Sequence, residues 1–147
     1  MLRFETNSEE ETIDLGRRIA RVIGGGAVVL LIGNLGAGKT TLAKGIVTGL
    51  AALDPEEVSS PTYTLIHEYP NAIYHIDLYR LDTAREVSVL GLDEIFDRLG
   101  SVVLIEWGER FPQLMPEHRL EIRIAANEDH RLFELGGPAA SLFVTQT

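Results

Sequence analysis

Apolar residues along this chain fall into distinct periodic patterns, and their order predicts a layered fold. Leu15, Ile19, Val22 and Ile23 recur at helical spacing behind Ser8 and Glu11, a pair spaced as in a capping box, and the run stops at Gly24-Gly25-Gly26. An amphipathic helix is predicted there. Ala27 to Ile32 is apolar without alternation, as expected of a parallel strand covered on both faces. Leu42, Ile46 and Leu50 then share one helical face, predicting a helix of about three turns whose end is marked by Asp54-Pro55.

From Ser59 to Tyr79 the period changes. Tyr63, Leu65, His67 and Tyr69 alternate with polar or smaller partners, Pro70-Asn71 interrupts, and Ile73 to Tyr79 alternates again, so two extended segments joined by a turn are predicted. Thr83 to Leu99 reads as helix in two pieces around Gly91, and Val102-Val103-Leu104-Ile105 as a second continuous apolar strand ending in Glu106-Trp107. Leu120, Ile122 and Ile124, with the run Leu132 to Leu135, suggest a C-terminal hairpin. The expected class is α/β, with a mostly parallel central sheet and an antiparallel C-terminal annex.

Directly after the first apolar strand comes Gly33-Asn34-Leu35-Gly36-Ala37-Gly38-Lys39-Thr40, which fits the pattern G-x-x-x-x-G-K-[ST]. Such a loop turns successive backbone N–H groups inward around a β-phosphate, and the following helix points its positive end at the same charge. Lys39 is placed to reach β- and γ-phosphate oxygens, and the Thr40 hydroxyl is a hard ligand suited to Mg²⁺. Thr41 packs or caps. Strand, loop and helix in this order predict a P-loop NTPase three-layer fold that binds Mg-ATP, with residues 1–147 forming a single P-loop ATPase domain.

Magnesium at such a loop needs a second, acidic anchor at the end of a neighbouring strand. Glu106 closes an apolar strand in the manner of a Walker B carboxylate and is assigned to the metal, directly or through water. Asp77 follows the more polar Tyr74-His75-Ile76 and is assigned to orient the attacking water or to hold a segment against the γ-phosphate. The hydroxyl-rich Ser59-Ser60-Pro61-Thr62-Tyr63-Thr64 lies where nucleotide-sensing loops sit, and reads equally as a turn before a strand. Trp107 reads as core or as a stacking or docking group beside the metal carboxylate. No Asp-x-x-Gly or Asn-Lys-x-Asp element of GTPases is present, which favours adenine over guanine.

Composition narrows the function classes. The 147 residues carry a formal net charge of −9, which argues against a whole-surface grip on nucleic acid, so any role in RNA biology is expected to be indirect. With no cysteine, and with His67, His75, His118 and His130 scattered, a structural transition metal is not expected. No apolar run reaches the roughly 20 residues of a membrane span and the start is acidic, so a cytoplasmic protein without membrane association is expected.

Taken together these residues resemble one family, the bacterial TsaE (YjeE) ATPases of tRNA threonylcarbamoyladenosine modification. Gly33 to Thr41 resembles the family's G-D-L-G-A-G-K-T-T, Ser60 to Leu65 its S-P-T-[YF]-T-L, Tyr74 to Leu81 its Y-H-F-D-L-Y-R-L, and Leu104 to Trp107 its [LI]-[VI]-E-W. The resemblance implies an ATP and Mg²⁺ site, weak intrinsic ATPase activity, and action beside TsaB and TsaD, the latter modifying adenosine 37 of tRNAs that read ANN codons. It implies nucleotide contacts from Gly33, Gly36, Ala37, Gly38, Lys39, Thr40 and Thr41, and metal contacts from Thr40 and Glu106. Thr62 and Thr64 would belong to a switch-like loop, Asp77 and Trp107 would matter for activity, and Glu9 and Arg131 would lie on the nucleotide side. Asn34 departs from the family, replacing the usual acidic residue and removing a charge near the γ-phosphate. A small-molecule P-loop kinase and a non-enzymatic nucleotide-sensing module are the competing readings. The kinase class usually carries an arginine-rich lid, and only Arg80 and Arg110 are offered here.

Overall fold

The computed structural model describes residues 2–23, 26–34, 36–51, 53–54, 57 and 65–140. In chain order these form β1 (Leu2–Thr6), α1 (Glu9–Ile23), β2 (Ala27–Ile32), α2 (Lys39–Ala51), β3 (Ile66–Tyr69) and β4 (Ile73–Asp77). Then come α3 (Ala84–Ser88), α4 (Leu92–Asp97), β5 (Val102–Glu106), β6 (Leu120–Asn127) and β7 (His130–Gly136). The strands make one seven-stranded sheet in the order β1-β7-β6-β2-β5-β4-β3. Its centre, β6-β2-β5-β4, is parallel, and both edges are antiparallel.

Alternation within β2 explains why that strand lacks an amphipathic pattern. Val29 and Leu31 enter the core on the face covered by α1 and α2, while Val28 and Leu30 enter the core containing Val87, Leu92, Phe111 and Met115. Both faces of β2 therefore meet apolar neighbours, as in a sheet sandwiched between helical layers. On the first face α1 and α2 cross in close contact. A Cβ on Gly45 would lie 2.2 Å from the Ile13 carbonyl oxygen, and one on Gly16 would lie 2.6 Å from that of Leu42. Only a residue without a side chain fits either position.

The α/β class and the parallel centre match the sequence reading, and the C-terminal hairpin is β6-β7. Its placement adds something the local pattern does not contain. Strand β6 pairs in parallel with β2, Val29 opposite Leu120, so the annex continues the main sheet. Strand β1 has no counterpart among the predicted elements; it completes this edge by pairing with β7, Leu2 opposite Leu135. The two helical pieces around Gly91 are α3 and α4, and Thr83 caps the first with a reciprocal capping box to Glu86. At α1 the box is altered: Ser8 Oγ accepts from the Glu11 N–H at 3.1 Å, but the Glu11 carboxylate accepts from Asn7 N–H, one residue further back.

Candidate functional site

Parallel strands β2, β4 and β5 end on the same side of the sheet, and the chain leaving β2 must turn into α2 without a side-chain clash. Gly36 and Gly38 make that turn at φ +78° and +111°, values that favour glycine. The first turn of α2 contains no acidic residue, so its free N–H groups and positive end face an uncompensated space. That space is a cavity of about 570 Å³.

Lys39, Thr40 and Thr41 line one wall of it, and Asp77, Glu106 and Trp107 line another. Lys39 is buried and its Nζ donates to the Gly33 carbonyl oxygen at 2.8 Å, lying 3.7 Å from the centre of the Trp107 ring. Burial pushes the Lys39 pKa down, against the attraction of Glu106, Glu109 and Asp77. Trp107 in turn packs on Tyr79, with ring centres 5.1 Å apart. Its backbone is left-handed at φ +67°, a conformation costing a bulky residue about 1–3 kcal/mol. This kink, directly after β5, starts the 3₁₀ turn Gly108–Arg110 and carries the indole over the lysine.

The two carboxylates are register partners on β4 and β5. Glu106 Oε2 accepts from Thr40 Oγ1 at 3.4 Å and lies 2.6 Å from His75 Nε2, while Asp77 Oδ1 accepts from the Tyr79 N–H at 2.9 Å. Burial raises the Asp77 pKa; the Tyr79 N–H opposes the shift and the charge of Glu106 adds to it. Among the described residues no cluster of three or more His, Cys, Asp or Glu has metal-holding geometry. The hydroxyl of Thr40 beside the Glu106 carboxylate nevertheless suits a hard cation that takes the rest of its shell from phosphate and water, as Mg²⁺ does.

The opposite rim comes from the chain's remote parts. Glu9 and Thr12 at the start of α1, and Asp129 and Arg131 at the β6-β7 turn, line the same cavity. Arg131 lies against the loop, its Nε 3.4 Å from where a Cβ on Gly38 would be, and its guanidinium donates to the carbonyls of Glu128 and His130. Gly33 and Ala37 line a neighbouring cavity with Arg123 and Glu134, on the other flank of the loop from Thr40, and Gly36 borders both. Thr62 and Thr64 fall outside the described residues.

Several residues at the site have no assigned contact in the sequence reading. Tyr79 and Arg80 complete the mouth, and Arg110 donates to the carbonyls of Tyr79 at 2.9 Å and Leu81 at 2.8 Å, tying the β4 exit to the β5 exit. His75 could have been found from strand alternation alone, since it lies two residues before Asp77 and so shares its face.

The family model described as "Threonylcarbamoyl adenosine biosynthesis protein TsaE" matches residues 6–133, most of the chain. The chain belongs to the TsaE family. TsaE proteins similar to it, each named a tRNA threonylcarbamoyladenosine biosynthesis protein, come from distant bacteria. That of Nostoc sp. is 44% identical over 76% of this chain and 71% of its own length, and that of Haemophilus influenzae is 42% identical over 92% and 82%. The Bacillus subtilis TsaE is 40% identical over 88% of this chain and 82% of its own length. The crystal structure of Bacillus subtilis YdiB superposes with a TM-score of 0.75 at 33% identity, covering 97% of this chain and 89% of that one. The fold is thus the P-loop fold of that TsaE relative, and among the described residues no helix is long and apolar enough to cross a membrane.

Proposed function

We propose that this TsaE chain is the ATP-binding and ATP-hydrolysing component of the machinery that forms N6-threonylcarbamoyladenosine in tRNAs reading ANN codons, acting with TsaB and TsaD in the cytoplasm. Residues 1–147 serve as one P-loop ATPase domain. The observation that carries the reading is the shared cavity in which Lys39, Thr40, Asp77, Glu106 and Trp107 meet Glu9 and Arg131 from opposite ends of the chain.

Backbone N–H groups of Gly36 and of Gly38 to Thr40 hold the phosphates at the positive end of α2, and Lys39 exchanges the Gly33 carbonyl for phosphate oxygens. That exchange gives the buried ammonium, whose charged form desolvation disfavours, a further anionic partner. Thr40 and Glu106 would hold Mg²⁺, which would supply neutralisation of phosphate charge. Asp77, across the strand pair from Glu106, orients water for in-line attack on the γ-phosphorus, and its raised pKa makes it a better proton acceptor than an ordinary carboxylate. Arg131 and Glu9 meet the nucleotide on the far rim. The −9 net charge supports contact with tRNA through the partners rather than by this chain itself.

Mg-ATP hydrolysis by the purified chain, alone and then with TsaB, TsaD and tRNA, tests the proposal. A slow intrinsic rate that rises with the partners and is lost in Lys39→Ala is expected. A rate indifferent to the partners, with fast phosphoryl transfer to an added metabolite, would replace the reading with that of a small-molecule kinase.

A further inference from the structure

Among the chain's four histidines His75 stands apart, with no exposed surface at all. It sits on β4 opposite Leu104 of β5, so its ring shares the face from which Asp77 and Glu106 project two residues further along. Its Nε2 lies 2.6 Å from Glu106 Oε2. Against a carboxylate oxygen the ring donates from Nε2, and among the described residues Nδ1 is buried with no hydrogen-bond partner. Packing does not explain this arrangement. A leucine would fill such a site without stranding a polar nitrogen, and stranding one is costly.

We infer that His75 is a positioning residue for the metal carboxylate: its Nε2–H fixes Glu106 so that one carboxylate oxygen is held and the other is presented to the cation. The inference rests on the reading of Glu106 as a Mg²⁺ ligand. Oε2 takes both donors, His75 Nε2 and Thr40 Oγ1, whereas Oε1 has no hydrogen bond among the described residues. A glutamate side chain turns about three bonds, and a charge-assisted bond to a fully buried ring removes most of that freedom. Hydrogen bonds of this kind behind a ligating carboxylate set metal affinity, and their loss weakens it on the order of 10–100-fold. His75 itself touches neither metal nor phosphate in this scheme.

The test compares wild type with His75→Gln and His75→Asn. The glutamine amide reaches about as far as Nε2 and can still donate to Glu106; the asparagine amide stops short at the Nδ1 position. Calorimetric binding of ATP is measured in EDTA and in excess Mg²⁺, with melting temperature recorded beside it. The expected result is affinity in EDTA within about twofold for all three proteins, a Mg²⁺ enhancement lost on the order of tenfold or more in His75→Asn, and recovery of most of it in His75→Gln. Equal enhancement in all three overturns the inference. So does a loss in His75→Gln as large as in His75→Asn, or a drop in EDTA affinity that follows melting temperature, since either marks a purely structural residue. If His75→Asn does not fold, His75→Leu, which keeps the volume and removes the donor, takes its place under the same criteria. Absence of Mg²⁺ enhancement in wild type would instead refute the parent reading of the site, and the two failures are seen in different proteins.

Discussion

The ends of β4 and β5 carry the same chemical group and face each other in register, yet their surroundings give those groups opposite liberties. Glu106 is bound on one oxygen by a buried imidazole and faces the Thr40 hydroxyl. Among the described residues Asp77 is hydrogen-bonded only by the backbone N–H of Tyr79, and burial raises its pKa. On the proposed reading, a carboxylate held by two side-chain donors, one of them the P-loop threonine, is the one suited to stand next to a cation. One with a raised pKa and an oxygen without a hydrogen bond among the described residues is suited to exchange a proton. Burial alone separates neither role, because both residues are buried; the donors already attached to each do.

The comparison breaks most visibly in metal dependence. Glu106→Gln is expected to lower Mg-ATP turnover on the order of a hundredfold, the scale of losing one preorganised electrostatic contact, and to weaken Mg²⁺ binding with it. Asp77→Asn should lower turnover while leaving the Mg²⁺ concentration for half-maximal binding near that of wild type. Titrating Mg²⁺ against ATP binding in both variants checks this, and equal Mg²⁺ shifts would show that the two strand ends share one role.

Much of this contrast is open to a reader of the sequence, and what is hidden has a physical reason. The β2-loop-α2 unit and the strand ending in Glu106 are local signals: continuous apolar runs, a glycine-rich turn and a helical period within one stretch of chain. The more polar sequence before Asp77 is what sets it apart from Glu106 on paper, yet both strands are buried throughout, and what differs in the fold is the hydrogen-bond partners of the two carboxylates. Long-range pairing leaves no such trace. Nothing in Leu120 to Ile122 announces a parallel partnership with Val29 to Leu31, and β1 gains its strand form only by joining β7 at the far end of the chain. Glu9 and Arg131 are likewise brought to the cavity by tertiary folding, which is why the motif resemblance, and no spacing argument, points to them. His75 looks like a scattered histidine when metal ligands are sought by spacing, although its two-residue offset from Asp77 already places it on the functional face.

Between the two strand ends runs a physical link that can be cut on its own. Arg110 follows β5 and donates to the Tyr79 and Leu81 carbonyls beyond β4, with Asp82 3.7 Å away. Arg110→Ala should cost about 1 kcal/mol of stability, because the guanidinium is partly open to solvent and water can replace it at the carbonyls. Urea unfolding measures that cost. If the link orders the mouth of the site, ATP turnover also falls a few-fold while Mg²⁺ dependence stays put; unchanged stability and turnover would mean that the two exits hold their positions independently.

The smallest expected effect has the opposite sign and isolates the Asp77 side of the comparison. Burial raises the Asp77 pKa above that of the unfolded chain, so over the interval between the two values the folded protein keeps a proton that the unfolded protein has released. The contribution of this group to stability is therefore complete below the ordinary carboxylate range and declines as pH rises through the folded value. An asparagine amide at this position cannot ionise, and its side-chain oxygen can still accept from the Tyr79 N–H. Asp77→Asn should match wild type in melting temperature in acid and melt slightly higher at neutral pH, the gap opening as pH climbs. Melting curves across that range decide it: a gap that stays constant, or wild type melting higher at neutral pH, would mean that the Asp77 charge is compensated in the folded chain, and the contrast with Glu106 would then have to rest on hydrogen bonding alone.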